Sequence, residues 1–359
     1  MSLTSVFGAV GVLAIVIFVH ELGHFLVAKW CDVEVLTFSM GFGPTIWSKK
    51  YGETDYRLAL LPLGGYVRMA GEEDWRAAEE GSDPSRGFAA KPLRSRAAIV
   101  AAGPAVNLVF AFLLFSMTYT VYGEKVPTEQ ARIGGVVLGM PAAAAGLTLG
   151  DRVVGVAGDE ISTWDEFALL VRESEGRALP LEIESADGAL RQLTLEPQLN
   201  EQKDMFGEVV GKFYMIGVHR DMDSIPVGLF EAISLGGQAT YRWSALIFET
   251  LARLIGGSVD PNELGGPIMI AREAGRLAAS GLEPLLRFMA VISVNLGIIN
   301  ILPIPILDGG HLLFFGYEAV RGKPISVRLR EYALQAGALL LVALMIFVVY
   351  NDISRIFFG

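Results

Sequence analysis

Two histidines and one glutamate lie close together in the first apolar stretch of the chain. His20, Glu21 and His24 form the pattern H-E-x-x-H, and on a helix a spacing of four residues puts both imidazoles on one face, one turn apart. They can then bind one metal ion, with the carboxylate of Glu21 beside the place of a water. The pattern also arises by chance, but in an apolar span each of these groups would carry a desolvation penalty on the order of a few kcal/mol. A bound divalent ion offsets that penalty, so the sequence predicts a metal site.

A catalytic zinc usually takes three protein ligands and leaves the fourth position to water, so a third ligand is needed. Of the two remaining histidines, His219 falls in a segment predicted on the far side of the membrane, and either a supporting role or a helix cap would explain His311. We expect Asp308 to be the third ligand, because it ends the third apolar stretch at the predicted depth of the H-E-x-x-H. The alternative for Asp308 is a cap or turn residue after an apolar span.

The segment NILPIPILDGGH predicts how the carboxylate of Asp308 is presented. Pro303 and Pro305 remove backbone donors and favour an extended path, while Gly309 and Gly310 permit a tight turn. We therefore expect Asp308 to lie on irregular backbone rather than on a helix.

The composition places these residues in a membrane. Of the 359 residues 52% are hydrophobic and 19% charged, and the mean hydropathy is +0.45, which is too apolar for a soluble domain of this length. About 20 apolar residues cross the hydrocarbon core as a helix. Four stretches without Asp, Glu, Lys or Arg predict four such helices: residues 5–19, 97–123, 288–307 and 332–351. The first is short and reaches spanning length by continuing to about Trp30. The net charge of −10 argues against nucleic-acid binding. The chain has one cysteine, Cys31, which excludes a disulfide framework. We expect it to be a small buried thiol.

Basic residues predict the orientation in the membrane. No Lys or Arg precedes the first apolar run, which therefore lacks the positive start of a cleaved signal peptide, and we expect a retained helix. Lys and Arg cluster between the first and second spans and again between the third and fourth, which predicts that both connections are cytoplasmic. Both termini and the segment of about residues 124–284 should then face the periplasm or cell exterior of a bacterium.

The remaining patterns predict four regions. Residues 1–123 would contain two spans and, between them, a small membrane-associated β-sheet made by VLTFSMGFGP and YRLALLPLGGYVRM. Residues 124–224 would form one external α/β domain, in which the short strands and one helix of residues 131–218 resemble a PDZ domain with the ligand-binding strand last. Residues 225–284 are amphipathic and would lie on the outer membrane surface, pack on the bundle or simply connect. Residues 285–359 would hold the last two spans and Asp308.

The motifs HELGH, NILPIPILDGGH and GFGP with a following LPLGGYVRM, together with the PDZ-like insert, resemble the site-2 protease family of intramembrane metalloproteases. Within it they are most similar to the bacterial branch that regulates sigma-E. The resemblance implies that His20, His24 and Asp308 bind Zn2+, that Glu21 is the general base, and that Asn300 assists substrate binding. Relatives in this branch commonly carry two tandem PDZ domains, whereas this chain has room for one.

The predicted sheet offers an edge strand to the substrate. A helical substrate must unwind before its backbone can be attacked, and an extended segment can then pair with a free strand edge. We expect contacts with the substrate from the glycine-rich turns of the sheet, at Gly43, Leu63, Gly64 and Gly65.

The predicted substrates are single-span membrane proteins of the bacterial inner membrane, cut near the cytoplasmic face. The resemblance implies anti-sigma factors already shortened on the outside, and also remnant signal peptides, with the PDZ-like domain excluding bulky external domains or recruiting new C-termini. A rival interpretation is a PDZ-bearing membrane scaffold with a structural metal site. Glu21 counts against it, because a structural site needs no base and closes with a fourth ligand.

Overall fold

The computed structural model describes residues 3–72, 83–203, 209–258 and 265–358. The chain forms two compact units, one of Met1–Val121 with Gly228–Gly359 and one of Tyr122–Val227. The helices are α1 (Leu3–Trp30), α2 (Leu93–Tyr122), α3 (Pro141–Ala144), α4 (Trp164–Glu173), α5 (Leu229–Ile255), α6 (Pro267–Ser280), α7 (Leu282–Ile301), α8 (Asp308–Arg321) and α9 (Val327–Phe358). The strands are β1 (Val35–Tyr51), β2 (Thr54–Met69), β3 (Glu124–Pro127), β4 (Ile133–Val136), β5 (Arg152–Val156), β6 (Asp159–Glu160), β7 (Leu179–Glu184), β8 (Leu190–Leu195), β9 (Gln198–Lys203), β10 (Val209–Met215), β11 (Val218–Arg220) and β12 (Met222–Ile225).

Four helices in the described part of the chain are long and apolar enough to cross a membrane. They are α1 from Val10 to Trp30, α2, α7 and α9 to Phe357, so the four predicted spans are confirmed by length and composition. The third differs from the prediction at its end, because α7 stops at Ile301 and not near Leu307. Pro303 and Pro305 explain the difference, since a proline cannot donate a helical hydrogen bond and disfavours helix in the residue before it.

The spans α1, α2 and α7 pack around one apolar core. Val16, Ala111 and Val294, one from each helix, are each 0% exposed in it. The amphipathic helix α5 joins this core through Ala239. Its Gly236 approaches α2 so closely that a Cβ there would lie 2.1 Å from the Oγ of Ser116. Of the alternatives for this segment, the structure therefore favours packing on the bundle.

The predicted small sheet between the first two spans is confirmed as an antiparallel pair, β1 and β2, joined by a two-residue turn. Both strands bend, so residues 37–40 of β1 pair with β2 on both sides. They pair with residues 65–68 on one side and with residues 55–58 on the other. Glycine allows the bend, because Gly41 has φ +87° and a Cβ there would lie 2.5 Å from the carbonyl oxygen of Leu61. Residues 65–69 therefore form an outer edge of the sheet, which no other described strand pairs with.

The second unit is a small α/β domain. Its largest sheet is antiparallel with the order β6-β5-β7-β8, and helix α4 packs on it through Phe167, which is 1% exposed. A capping box between Thr163 and Glu166 begins that helix, as expected for a helix start. The segment FYMIGV is divided between β10 and β11, because the chain breaks at Gly217, with φ +81°. The assignment of the domain to the PDZ class stays a prediction.

Candidate metal centre

Three side chains from two distant parts of the chain converge inside the first unit. The Oδ2 of Asp308 lies 3.1 Å from the Nε2 of His20 and 3.5 Å from the Nε2 of His24. The two Nε2 atoms are 3.2 Å apart. Helix α1 supplies both imidazoles from one face, as the spacing of four residues predicts, and α8 brings the carboxylate to them.

This donor set fits a zinc ion. Ligand atoms at about 2.0–2.2 Å from a tetrahedral zinc are roughly 3.3–3.6 Å from each other, close to the three distances observed. The Oδ2 of Asp308 is buried and makes no contact with hydrogen-bond geometry in the described part of the chain, although two imidazoles lie beside it. Two imidazole nitrogens and an orphaned carboxylate oxygen that face one point form a donor set of the kind that binds a catalytic zinc ion.

The presentation of Asp308 differs from the sequence expectation. The residue was expected on irregular backbone, and this is wrong, because it is the first residue of α8. The two following glycines do not make a tight turn, because both lie in the first turn of α8. Instead they allow a close approach: a Cβ at Gly309 would lie 2.0 Å from the carbonyl oxygen of Ile301, and one at Gly310 would lie 2.3 Å from that of Ile304. Glycine thus lets α8 begin directly against the end of α7.

Helix α2 contacts the second ring nitrogen, Nδ1, of both imidazoles. The Nδ1 of His24 lies 2.8 Å from the carbonyl oxygen of Ile99, and the side-chain amide of Asn107 lies 3.2 Å from the Nδ1 of His20. Gly103 leaves room for both rings, since a Cβ there would lie 2.3 Å from the Nε2 of His24. Each imidazole is therefore fixed through its second nitrogen and by close packing.

Glu21 lies beside the edge of the bent sheet. A Cβ at Gly65 would lie 3.0 Å from the Cγ of Glu21, so only glycine lets the edge strand come this near. Glu21 and Gly65 line one cavity of about 350 Å³ together with the three converging side chains. The cavity also contains charged groups: Glu72, Arg96, Glu318 and Arg330. Arg96 and Glu318 form an ion pair between α2 and α8. This pair ties the helix of Asp308 to the helix that contacts both imidazoles.

The residues expected to contact substrate are only partly brought together. Asn300, at the end of α7, and Gly65 line the cavity. Gly64 and Gly43 are not among the described residues that line it; Gly64, with φ +132°, lies next to the ring of Phe42, and Gly43, with φ +88°, lies at the bend of β1. The side chain of Leu63 falls outside what the structure describes.

Burial and charge set the protonation of the groups on α8. Burial opposes ionisation of Asp308, but the two imidazoles outweigh it and hold the pKa of this carboxyl below its ordinary value. Burial lowers the pKa of His311 below its ordinary value, and Arg330 acts in the same direction. Near neutral pH Asp308 is therefore a carboxylate and His311 is neutral.

The sequence analysis missed the supporting residues on α2. Asn107 is the only amide in the apolar run of residues 97–123, and a polar residue in a span is itself a signal of function. That signal was available for Asn107. Gly103 carries no comparable signal, because its role depends on which helix lies opposite.

Comparisons with known proteins show which sequences this chain is similar to. The family model of peptidase family M50 matches residues 8–344. Zinc metalloprotease RasP of Geobacillus kaustophilus is 33% identical, over 99% of this chain and 99% of its own length. Regulator of sigma-E protease RseP of Salmonella typhimurium is 34% identical, over 96% of this chain and 97% of its own length. The latter alignment extends over 442 positions against 359 residues here, so that protein contains residues that this chain lacks.

Proposed function

Because the chain belongs to peptidase family M50 and is an intramembrane zinc metalloprotease, we propose that it cleaves the transmembrane segments of single-span membrane proteins, with shortened anti-sigma factors as its main substrates. Remnant signal peptides would form a second group. The observation that carries the proposal is the position of the free sheet edge, which passes Glu21 in the same cavity as the three converging side chains.

In this proposal His20, His24 and Asp308 hold the zinc ion, and Glu21 is the general base. When bound, zinc supplies Lewis-acid chemistry and lowers the pKa of water from about 15.7 toward 7. Glu21 accepts a proton from the attacking water at its carboxylate and delivers it to the leaving amine nitrogen. The half-buried position of Glu21 in a cavity with charged residues gives it access to water.

The substrate would bind to the sheet as an extra strand. Among the described strands, the backbone of residues 65–67 pairs on one side only, with residues 38–40, and an extended peptide paired on its other side would pass Glu21 at Gly65. Recognition of this kind depends on backbone hydrogen bonds more than on side chains. It predicts broad sequence tolerance and a preference for spans that unwind easily. Asn300 would contact the peptide at the cavity, while Gly43 and Gly64 would act by shaping the sheet.

The chain would lie in the inner membrane with the cavity open to the cytoplasm. His24 lies six residues before Trp30, the end of α1, which is about 9 Å along a helix. Three charged residues line the cavity and belong to or flank the two connections that are predicted to be cytoplasmic from their basic residues. They are Arg96, Glu318 and Arg330. Water would then reach the site through a short polar inlet. The external domain would exclude substrates with bulky external parts.

Cleavage by the full-length protein in lipid vesicles tests the proposal. The substrate is a tagged single-span protein, and the matched variants are Glu21→Gln and Asp308→Ala. Glu21→Gln should keep one equivalent of zinc and lose cleavage about 10²–10⁴-fold, because the amide cannot accept the proton. Asp308→Ala should lose both.

Two results would contradict the proposal. If Asp308→Ala keeps a full equivalent of zinc and its activity, the third ligand is misassigned. If wild type and Glu21→Gln bind zinc equally and neither cuts any single-span substrate, the scaffold alternative is favoured. A pair of substrates that differ only by Gly and Pro in the span should be cut at different rates, the weaker helix faster.

A further inference from the structure

The side chain of Asn107 is buried in the bundle directly behind His20. It is 0% exposed, its amide lies 3.2 Å from the Nδ1 of His20, and its Oδ1 has no hydrogen-bond partner in the described part of the chain. We propose that Asn107 is a positioning residue: its carbonyl oxygen accepts the Nδ1 hydrogen of His20 and so keeps the Nε2 lone pair directed at the metal. This inference rests on the zinc site of the proposed function.

The need for an acceptor follows from the chemistry of imidazole. A neutral imidazole has one N–H and one lone pair, and a metal-binding nitrogen must carry the lone pair. The Nε2 atoms of His20 and His24 both face the Oδ2 of Asp308, so each Nδ1 must carry the hydrogen. For His24 the acceptor is the carbonyl oxygen of Ile99, at 2.8 Å. His20 needs an equivalent acceptor, and the amide of Asn107 is the group that faces its Nδ1.

The orientation of the amide decides whether it can be that acceptor. The oxygen and nitrogen of an Asn amide are assigned from their hydrogen bonds and can be exchanged by a half-turn. With Nδ2 toward His20, the amide would donate to Nδ1 and force the hydrogen onto Nε2, where it would block metal binding. That orientation also leaves Oδ1 of Asn107 buried without a partner. After a half-turn Oδ1 accepts from Nδ1, and Nδ2 takes the buried place of Oδ1. One amide group is then without a described partner in either orientation, so the tautomer that metal binding requires decides between them.

The backbone around Asn107 is fixed firmly enough for this role. The Oγ of Ser293 in α7 donates to the backbone carbonyl of Asn107 at 2.8 Å. Close by, a Cβ at Gly297 would lie 3.0 Å from the carbonyl oxygen of Pro104, so α2 and α7 are in close contact here. An amide on this backbone has little freedom to follow His20 if the ring turns. It therefore sets the ring orientation, as outer partners of metal-binding histidines commonly do.

Zinc affinity of the purified full-length protein in detergent tests the inference. Asn107→Leu keeps the size of the side chain and removes the acceptor, so the zinc dissociation constant should rise about 10–100-fold. Asn107→Asp keeps an acceptor oxygen and should bind zinc at least as tightly as wild type. Thr118→Val removes another buried hydrogen bond of α2, from the Oγ1 of Thr118 to the carbonyl oxygen of Phe115, without touching His20 or Asn107, and should leave the dissociation constant unchanged. The absorption spectrum of the Co2+-substituted protein, which reports ligand geometry, should change in Asn107→Leu and not in Thr118→Val.

The outcomes separate this inference from the proposed function. If His20→Ala does not weaken zinc binding, the proposed site itself is wrong. If His20→Ala loses zinc while Asn107→Leu binds it as tightly as wild type, only the role of Asn107 is overturned. That role is also overturned if Asn107→Leu and Thr118→Val weaken binding equally, because a general loss of stability in α2 would then explain both. If Asn107→Leu does not fold, Asn107→Asp decides alone, and a tenfold weaker affinity in that variant overturns the role.

Discussion

At the residue scale, close packing constrains the two imidazoles as strongly as their hydrogen bonds do. A Cβ at Gly103 would lie 2.3 Å from the Nε2 of His24 and 2.8 Å from the Cε1 of His20, well inside van der Waals contact. Neither ring can move far, because Ile99 and Asn107 hold the opposite nitrogens. The site therefore tolerates no added atom on this side of α2.

Replacing Gly103 with Ala should accordingly displace one imidazole and lower both zinc content and cleavage. We expect at least a tenfold loss of cleavage, since overpacking commonly costs about 1–3 kcal/mol. Zinc per protein by elemental analysis and cleavage of a single-span substrate measure the effect. Gly11→Ala is the matched control, because a Cβ there meets nothing within 4 Å and alanine favours helix. Full zinc and activity in Gly103→Ala would show that the rings have more freedom than the structure indicates.

The sequence predicts which single residues can do chemistry better than it predicts the backbone and the neighbours that surround them. His20 and His24 are recognisable because their spacing matches one helix face, and Asp308 because it follows an apolar span. Its backbone could not be predicted, since the role of Gly309 depends on contact with the end of α7, which the intervening prolines bring close in space. Asn107 carried a signal as an amide in an apolar run, but only the structure pairs it with His20.

At the element scale, the bent hairpin is fastened at its tip by an ionic cluster. Glu53, in the turn between β1 and β2, accepts hydrogen bonds from Arg86 at 2.7 and 3.0 Å and pairs with Lys29 in the last turn of α1. Arg86 and Lys29 hold the pKa of Glu53 at about 2. The hairpin tip is thereby tied to the end of the helix that carries the H-E-x-x-H.

The cluster should stabilise the hairpin in a pH-dependent way. Because the pKa of Glu53 in the folded protein lies below its ordinary 4.5, its contribution is complete above pH 4.5 and is lost as the pH falls toward 2. Glu53→Gln should therefore lower hydrogen-exchange protection of residues 45–59 at pH 7 by about 1 kcal/mol, a value suited to a partly exposed pair. The difference from wild type should shrink steadily below pH 4.5.

Glu249→Gln is the control for this measurement. Glu249 also pairs with an arginine, at 3.0 Å on the surface of α5, so its loss should leave the hairpin unchanged. An undiminished difference between Glu53→Gln and wild type at pH 3 would contradict the assigned pKa.

The sheet also shows how far periodicity can predict an element. Alternation and the Gly and Pro positions predict two strands and their turn, and both strands are present. The bend at Gly41 is not predictable from alternation, because it depends on contact between backbones that are some 20 residues apart. That bend is what creates the free edge beside Glu21.

At the scale of the whole molecule, the orientation in the membrane can be measured directly. A reporter fused after Arg86 should behave as cytoplasmic, because it lies in the basic connection between the first two spans. A reporter inserted in the turn between β7 and β8, and another at the C-terminus, should behave as external. The opposite labelling would put the cavity on the outer side and contradict the proposed cleavage near the cytoplasmic face.

Removing most of the external domain tests whether it excludes substrates or recruits them. β3 and β12 pair from Pro127 with Met222 to Glu124 with Ile225, so a short linker can replace residues 131–218 without separating these strands. We expect the shortened enzyme to cut a full-length substrate that the intact enzyme spares, while the trimmed substrate is cut as before. Slower cleavage of the trimmed substrate would instead indicate recruitment, and capping its C-terminus should then slow the intact enzyme as well.

The membrane spans are where sequence and structure agree in outline and differ in detail. The apolar stretches predict the spans because a membrane imposes their length. The end of α7 at Ile301 and the break at Gly217 arise from local backbone geometry, which composition does not report. The packing of α5 on α2 depends on Gly236 opposite Ser116, and two positions so far apart cannot be matched from one sequence.

The separation of the converging side chains along the chain has a consequence during biosynthesis. About 280 residues lie between His24 and Asp308, and at about 5–20 residues per second a ribosome needs roughly 15–60 s to add them. Throughout that time the first span is already made, yet its imidazoles have no carboxylate partner. We expect a nascent or prematurely terminated chain to have no proteolytic activity. It should therefore not cleave neighbouring proteins that are being inserted into the membrane until its own synthesis is almost finished.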